Sequence, residues 1–210
     1  ELLDTGVFNE DRYFDVFVEY AKAGPDDMLV KITAFNRGPD AAELHLLPTL
    51  WFRNDWASWI APSNREPEPP DIRQIQSAPG TTAAAATHRV LGEYVLSCQG
   101  DVPLLFTENT TNHERLFGQP NETPYVKDGI NDYVVHGRQN AVNPDKRGTK
   151  VSAHSRHLVP AGQSATVRVR LTARPNAKQV PFGTTFDATL AARLQDADDF
   201  YRAVTPVSVS

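Results

Sequence analysis

The segment Tyr125–Gly137 reads YVKDGINDYVVHG and places Asp128, Asn131, Asp132 and His136 close together around one short apolar pair. Carboxylates and an imidazole are the side chains that move protons near neutral pH. Glu108, Glu114 and Glu122 lie in the same irregular stretch. A glycosidase needs two carboxyl groups flanking the scissile bond, roughly 6.5–9.5 Å apart in an inverting enzyme. Many pairs here satisfy the residue types, and none is singled out by spacing. Loop carboxylates more often cap backbone amides than react, and the structural reading is preferred for this group.

A second grouping is aromatic. LWFRNDWASW carries Trp51, Trp56 and Trp59 with Arg53, Asn54 and Asp55 between them. Sugar rings have apolar C–H faces and polar edges, which suit indoles beside amide and guanidinium groups. The competing reading puts Trp51 in the core, with the other two covering a rim or facing a neighbouring domain.

Other chemistries lack their signatures. There is no GxSxG elbow, and neither GxGxxG nor GxxxxGK occurs, so nucleotide binding has no support. The histidines, His45, His88, His113, His136, His154 and His157, show no zinc spacing, and no metal is expected. His154 and His157, an odd number apart on an expected strand, should face opposite sides. The single cysteine, Cys98, sits in the strand-like run YVLSC and reads as a buried, inert thiol. One thiol makes no internal disulfide.

The chain has 210 residues, 40% of them hydrophobic, and a net charge of −5 with both signs mixed along its length. That composition suits a packed domain and makes nucleic acid a poor partner. No apolar run approaches the roughly 20 residues that span a bilayer, so no membrane partner is expected. The chain opens on Glu1 within an apolar segment, which suggests a piece cut from something longer.

The elements that would position these residues are mostly strands. Over YFDVFVEY, Phe14, Val16, Val18 and Tyr20 alternate with Asp15 and Glu19, the period of a half-buried strand. Strands are expected at Met28–Phe35 and Glu43–Phe52, separated by Gly/Pro turns, which argues for antiparallel sheets. Ala57 to Arg89, with its prolines and alanine run, reads as a surface excursion. Strands resume at Val90–Cys98 and Val102–Thr107, and Glu108–Asp145 reads as irregular. Thr149–Val159 and Ala165–Thr172 should form a hairpin around PAGQ. Phe186, Leu190, Leu194, Ala197 and Tyr201 then share a helical face, with Thr184 and Asp187 resembling a capping box and Pro206 limiting the far end.

Taken together, ELLDTGVF, DRYFDVFVEYAKA, NRGPDAAELHLLPTLWFRN, FTENTTNHERLFG and YVKDGINDYVVHG resemble the N-terminal region of bacterial glycoside hydrolase family 63 proteins. The tail FDATLAARLQDADDFYRAV resembles their connecting segment. That family includes processing α-glucosidases and mannosylglycerate-hydrolase-like enzymes. The resemblance implies an antiparallel two-sheet supersandwich, mutarotase-like, over 1–175. A helical linker over 176–210 would lead to an (α/α)6 catalytic barrel that this chain lacks. The reaction implied for the parent is inverting hydrolysis of an α-glucosidic bond without a cofactor, in a bacterial cytoplasm. This chain would then hold no catalytic residue. Asp128, Asn131, Asp132 and His136 would hold a structured loop and dock the barrel near its sugar site, with Arg53 and Trp56 nearby.

Two alternatives stay open. One is an autonomous carbohydrate-binding module using Trp51, Trp56 and Trp59. The other is a mutarotase-like epimerase, with Glu108 and either His113 or His136 shuttling protons, a reading that rests on fold analogy.

Overall fold

The computed structural model describes residues 2–6, 8, 10–56, 69–173 and 180–206. In chain order the strands and helices begin with β1 (Phe14–Gly24), β2 (Asp27–Asn36), β3 (Ala42–Leu46), β4 (Thr49–Trp51) and β5 (Asp71–Ile75). There follow β6 (Thr81–His88), β7 (Gly92–Gln99), β8 (Leu104–Thr107), α1 (His113–Phe117) and α2 (Gly129–His136). The chain closes with β9 (Arg147–Gly148), β10 (Lys150–Ala153), β11 (Ser155–Val159), β12 (Ser164–Ala173) and α3 (Thr184–Val204). The chain is mostly β, its ladders are antiparallel and a long helix ends it, an arrangement consistent with a β-sandwich. No helix among the described residues is long and apolar enough to cross a membrane.

The chain divides into two compact units, one of residues 1–42 and 158–210, the other of residues 43–157. In the first, β1 and β12 flank β2, in the order β1-β2-β12. One face of these strands is apolar. Val18 lies opposite Ile32, which lies opposite Val167, and Tyr20, Val30 and Val169 form the next row. Burial is graded across this face. Ile32, Ala34, Val167 and Val169 are buried, whereas Val16, Val18 and Tyr20 on β1 are exposed, Tyr20 at 68%. The alternation expected for β1 is therefore present, but its apolar set faces outward. Strand periodicity assigns residues to a face and is silent on whether anything covers it.

The opposite face carries α3. Phe186, fully buried, packs against Ala21 and Leu29, with Phe182 and Leu190 beside it. The apolar stripe expected along α3 is covered at its start alone, and Leu194 and Tyr201 are exposed. Thr184 does not act as the expected cap. Gly183 occupies the cap position, and no side chain bonds there. The helix stops at Val204, before Pro206, because proline's ring cannot continue it.

Two polar groups lock this unit. Arg170 grips Asp27 with both arms of its guanidinium, Nε to Oδ1 at 2.8 Å and Nη2 to Oδ2 at 2.5 Å, and also donates to the Pro181 carbonyl. Its side chain is 8% exposed, and the bond to Asp27 holds its charge more firmly than usual. Buried Asn36 donates to the carbonyls of Asp40 and Val159 and accepts from the Gly38 amide. Its own backbone pairs with Gly162 and Gln163. Asn36 thus takes up the PAGQ turn. This corrects the expected hairpin: β11 pairs with β3 and β12 with β2. The local turn signal was sound, but the two strands it joins belong to different ladders.

In the second unit β6 lies between β5 and β7, and β9 closes the outer edge of β5. A further sheet runs β4-β10-β8. The stretch read as a surface excursion holds β5 and β6, and Ala83, Ala84 and Ala86 are buried. An interior strand covered on both faces shows no alternation, and this hid it. The portion over 57–68, with Trp59, Pro62 and Pro67, lies outside the described residues. The strand expected over Glu43–Phe52 is split into β3 and β4 at Leu47 and Pro48, since proline has no amide to donate. Cys98 is buried, and desolvation pushes its thiol up to about 12, so it is inert near neutral pH.

Arg170→Ala should lower unfolding free energy by about 3 kcal/mol, because it breaks a buried pair and leaves Asp27 without its main counter-charge. Urea denaturation measures this. A loss below about 1 kcal/mol would mean that the pair is not a lock.

Candidate functional site

The polar segment that follows β8 is structured throughout. Asn112 caps α1, accepting from the Arg115 amide at 3.0 Å and from Asn121 Nδ2 at 3.0 Å. Its own Nδ2 reaches both oxygens of Asp128 at 3.2 Å, and Arg115 Nη1 adds a third bond to that carboxylate at 3.1 Å. Asn121 Oδ1 accepts from the amides of His113 and Glu114. The backbone closes the loop, Glu108 to Tyr125 and Lys127 to Thr110. Glu108 accepts from Thr149 Oγ1 at 2.7 Å, and the same hydroxyl takes the Asn109 amide. The mutarotase assignment thus meets a Glu108 whose carboxylate is engaged in holding the loop.

The stretch Gly129–His136, expected to be irregular, is the helix α2. Its apolar side supplies Ile130, which joins Leu105 and Val142 in a buried cluster with Leu47, Tyr133 and Val134 packed around it. Ile130, Tyr133 and Val134 stand at helical spacing. The polar residues between them masked that period. Gly137, left-handed at φ 66°, ends the helix. Asp132 lies in the first turn, where a carboxylate is favoured by the helix dipole, and takes Arg138 Nη1 at 2.9 Å.

The sequence-level candidates therefore separate. Asp128 and Asp132 are committed to holding the loop and helix. Asn131 and His136 are exposed on α2, and their side chains make no hydrogen bond among the described residues. Arg53 is exposed and Trp56 half-buried, just past β4. Their segment is tied to the loop, since Asn109 donates to the Phe52 carbonyl at 2.8 Å and Asn54 to the Asn109 carbonyl at 3.3 Å. Asn109 and Asn121, each the first residue of an N-x-T triplet, have their side-chain amides engaged in these bonds. Trp51 is 54% exposed rather than in the core. It stands opposite Lys150, whose ammonium bonds the Lys127 carbonyl and is pushed down chiefly by desolvation, with Lys127 adding repulsion.

One constellation was not anticipated. Glu43 and His45 lie two apart on β3 and so share a face. Glu43 accepts from His45 Nε2 at 2.7 Å and from Arg156, and its carboxyl lies below the usual range, first because of Arg156 and then His45. His45 Nδ1 is 3.0 Å from His154 Nε2, and Tyr133 of α2 meets the His154 ring edge-on. His154 falls in the gap between β10 and β11 instead of on a strand, and His157 bonds Ser155. The Glu43–His45 half was legible as an i, i+2 pair, whereas His154 arrives from far along the chain. No group of three or more His, Cys, Asp or Glu side chains is placed to hold a metal ion among the described residues.

The fold and this site define a mostly β, antiparallel protein whose polar clusters are largely structural. No family model matches the chain. It is similar to the Saccharomyces cerevisiae protein YMR196W, described as uncharacterized, at 31% identity over 235 aligned residues covering 96% of this chain. The chain spans 21% of that relative's length.

Gly129 has no room for a side chain, because a Cβ would lie 2.2 Å from the Ala141 carbonyl oxygen. Gly129→Ala should cost about 2 kcal/mol through backbone displacement and should weaken amide protection along α2. Unchanged protection in α2 by hydrogen exchange would overturn the close approach.

Proposed function

We propose that this chain is a non-catalytic β domain of a longer glycoside hydrolase family 63-like protein, supporting an (α/α)6 catalytic barrel and shaping the rim of its sugar site. The observation that carries the reading is apolar surface without a cover. In the first unit Val16, Val18 and Tyr20 on β1, and Leu194, Phe200, Tyr201 and Val204 on α3, are all exposed. Exposed apolar residues grouped on one element are the usual mark of a contact surface. The relative of which this chain spans about a fifth supports a place within a longer protein, and the commitment of Asp128 and Asp132 to internal bonds supports a non-catalytic role. Asn131, His136 and Arg53 are then the docking and rim residues, being exposed. A bacterial, cytoplasmic α-glucosidase as parent belongs to this proposal.

The 210-residue chain, purified to homogeneity, should not hydrolyse 4-nitrophenyl α-glucoside or α-linked glucose disaccharides above the buffer rate. Measurable turnover that copurifies with the protein would sink the proposal. Sedimentation should show concentration-dependent self-association that Val18→Thr with Tyr20→Ser reduces. A monomer at all concentrations would count against a contact surface on β1.

The exposed indole of Trp51 favours a second reading, a carbohydrate-binding module. Calorimetric titration with maltose-series oligosaccharides separates the two. Saturable binding lost in Trp51→Ala supports the module, and no heat supports the supporting domain.

A further inference from the structure

We propose that His45 and His154 form an acid-sensitive latch, a hydrogen-bonded imidazole pair that seats Tyr133 of α2 at neutral pH and opens when both rings are protonated.

The hydrogen bonds dictate the tautomers. The Glu43 carboxylate can accept but not donate, so His45 Nε2 carries a proton. Neutral His45 then has its lone pair on Nδ1, and His154 must donate to it from Nε2 across 3.0 Å. A first proton is tolerated. If it enters at His154 Nδ1, the bond is unchanged. If it enters at His45 Nδ1, the bond reverses direction and His154 takes its other tautomer. A second proton is not tolerated. It sets two N–H groups and two positive charges against one another, with no acceptor between them.

The charged and titratable groups around the pair come from each element packed there. Glu43 stands on β3 with His45, Arg156 on β11 and Tyr133 on α2. Glu43 offsets one imidazolium but is already shared with Arg156. The second charge has no carboxylate of its own among these groups. Burial accordingly depresses His154 below its ordinary value, and the charges of His45 and Arg156 act in the same direction. A histidine depressed in the folded state contributes stability that is present above the unfolded value of about 6.5 and is lost as pH falls below it.

The mechanical consequence falls on α2. Tyr133 touches the His154 ring on one side and belongs to the cluster of Leu105, Ile130 and Val142 on the other. The backbone of His154 is fixed by the hydrogen bond its amide donates to the Pro103 carbonyl at 2.8 Å. Opening therefore swings the ring rather than the backbone. It removes one wall from Tyr133 and leaves α2 held by Ile130 and its capping bonds.

Hydrogen exchange on the chain at about pH 7.5 and about pH 5.5 tests the latch. After correction for intrinsic exchange chemistry, protection over 129–137 should fall about tenfold at the lower pH while β6 and β7 stay unchanged. His154→Gln keeps a donor toward His45 and removes the second charge, so its α2 protection should be flat with pH. Protection that is equally flat in the unmodified chain, or equally pH-dependent in His154→Gln, would overturn the proposal. Imidazole NMR titration of the unmodified chain gives an independent reading should that variant not fold. The His154 midpoint should lie below the ordinary imidazole value of about 6.5. A His154 midpoint at or above that value would also overturn it.

Discussion

The second unit is organised by how closely chain segments approach β8. Leu104, Leu105, Phe106 and Thr107 are all buried. β10 pairs along one edge of this strand. A Cβ on Gly148 would lie 2.4 Å from the Thr107 carbonyl oxygen, and one on Gly129 would meet the Ala141 carbonyl and then the Thr107 methyl group. Only glycine fits in either place. Those two contacts bring the start of α2 and the end of β9 against β8, and the position of α2 determines the rest. Ile130 reaches Leu105 and Val142, Tyr133 reaches His154, and Asp128 is left facing Asn112 and Arg115.

Polar density alone did not distinguish a reactive site from a scaffold, and the bond pattern does so residue by residue. Asn112 has its side-chain oxygen and nitrogen both in use, as does Asn121. Asp128 and Asp132 each hold an arginine. A carboxylate fixed in this way is directed at its partners, which suits positioning more than proton transfer. Residues free to meet something else are those that face solvent, Asn131 and His136 on α2 and Arg53 beyond β4. The Glu43–His45–His154 chain differs, because its bonds depend on the protonation of two imidazoles.

In the first unit the two faces of β1-β2-β12 play different roles. The α3 face is locked by Phe186 and supplemented by Arg168, which pairs with Asp187 and lies over the Phe186 ring. Arg170 and Asp27 hold the end of the same face. The other face runs from buried Val169 to exposed Tyr20 within one row of paired residues. A long edge strand that exposes aromatic and β-branched side chains is a liability for a free domain, and natural edges are usually charged or covered. The proposed role as a supporting domain rests on that contrast.

Strand composition, turn chemistry and helical spacing are local properties, and they made most of this architecture readable from residue order. The antiparallel β class, β1, β2, β12 and the terminal helix follow from alternation, Gly/Pro turns and the spacing from Phe186 to Tyr201. The buried Cys98 follows from its apolar run. Other features depend on partners remote in sequence. The alanines of β6 show no alternation because both faces are covered. Asn36 diverts the PAGQ turn through bonds to Val159 and Gln163. The outward face of Val18 and the meeting of His45 with His154 likewise require knowledge of what lies opposite. Periodicity tells a chain which residues share a face. What covers that face is settled by packing between distant segments, and no window of neighbouring residues contains it.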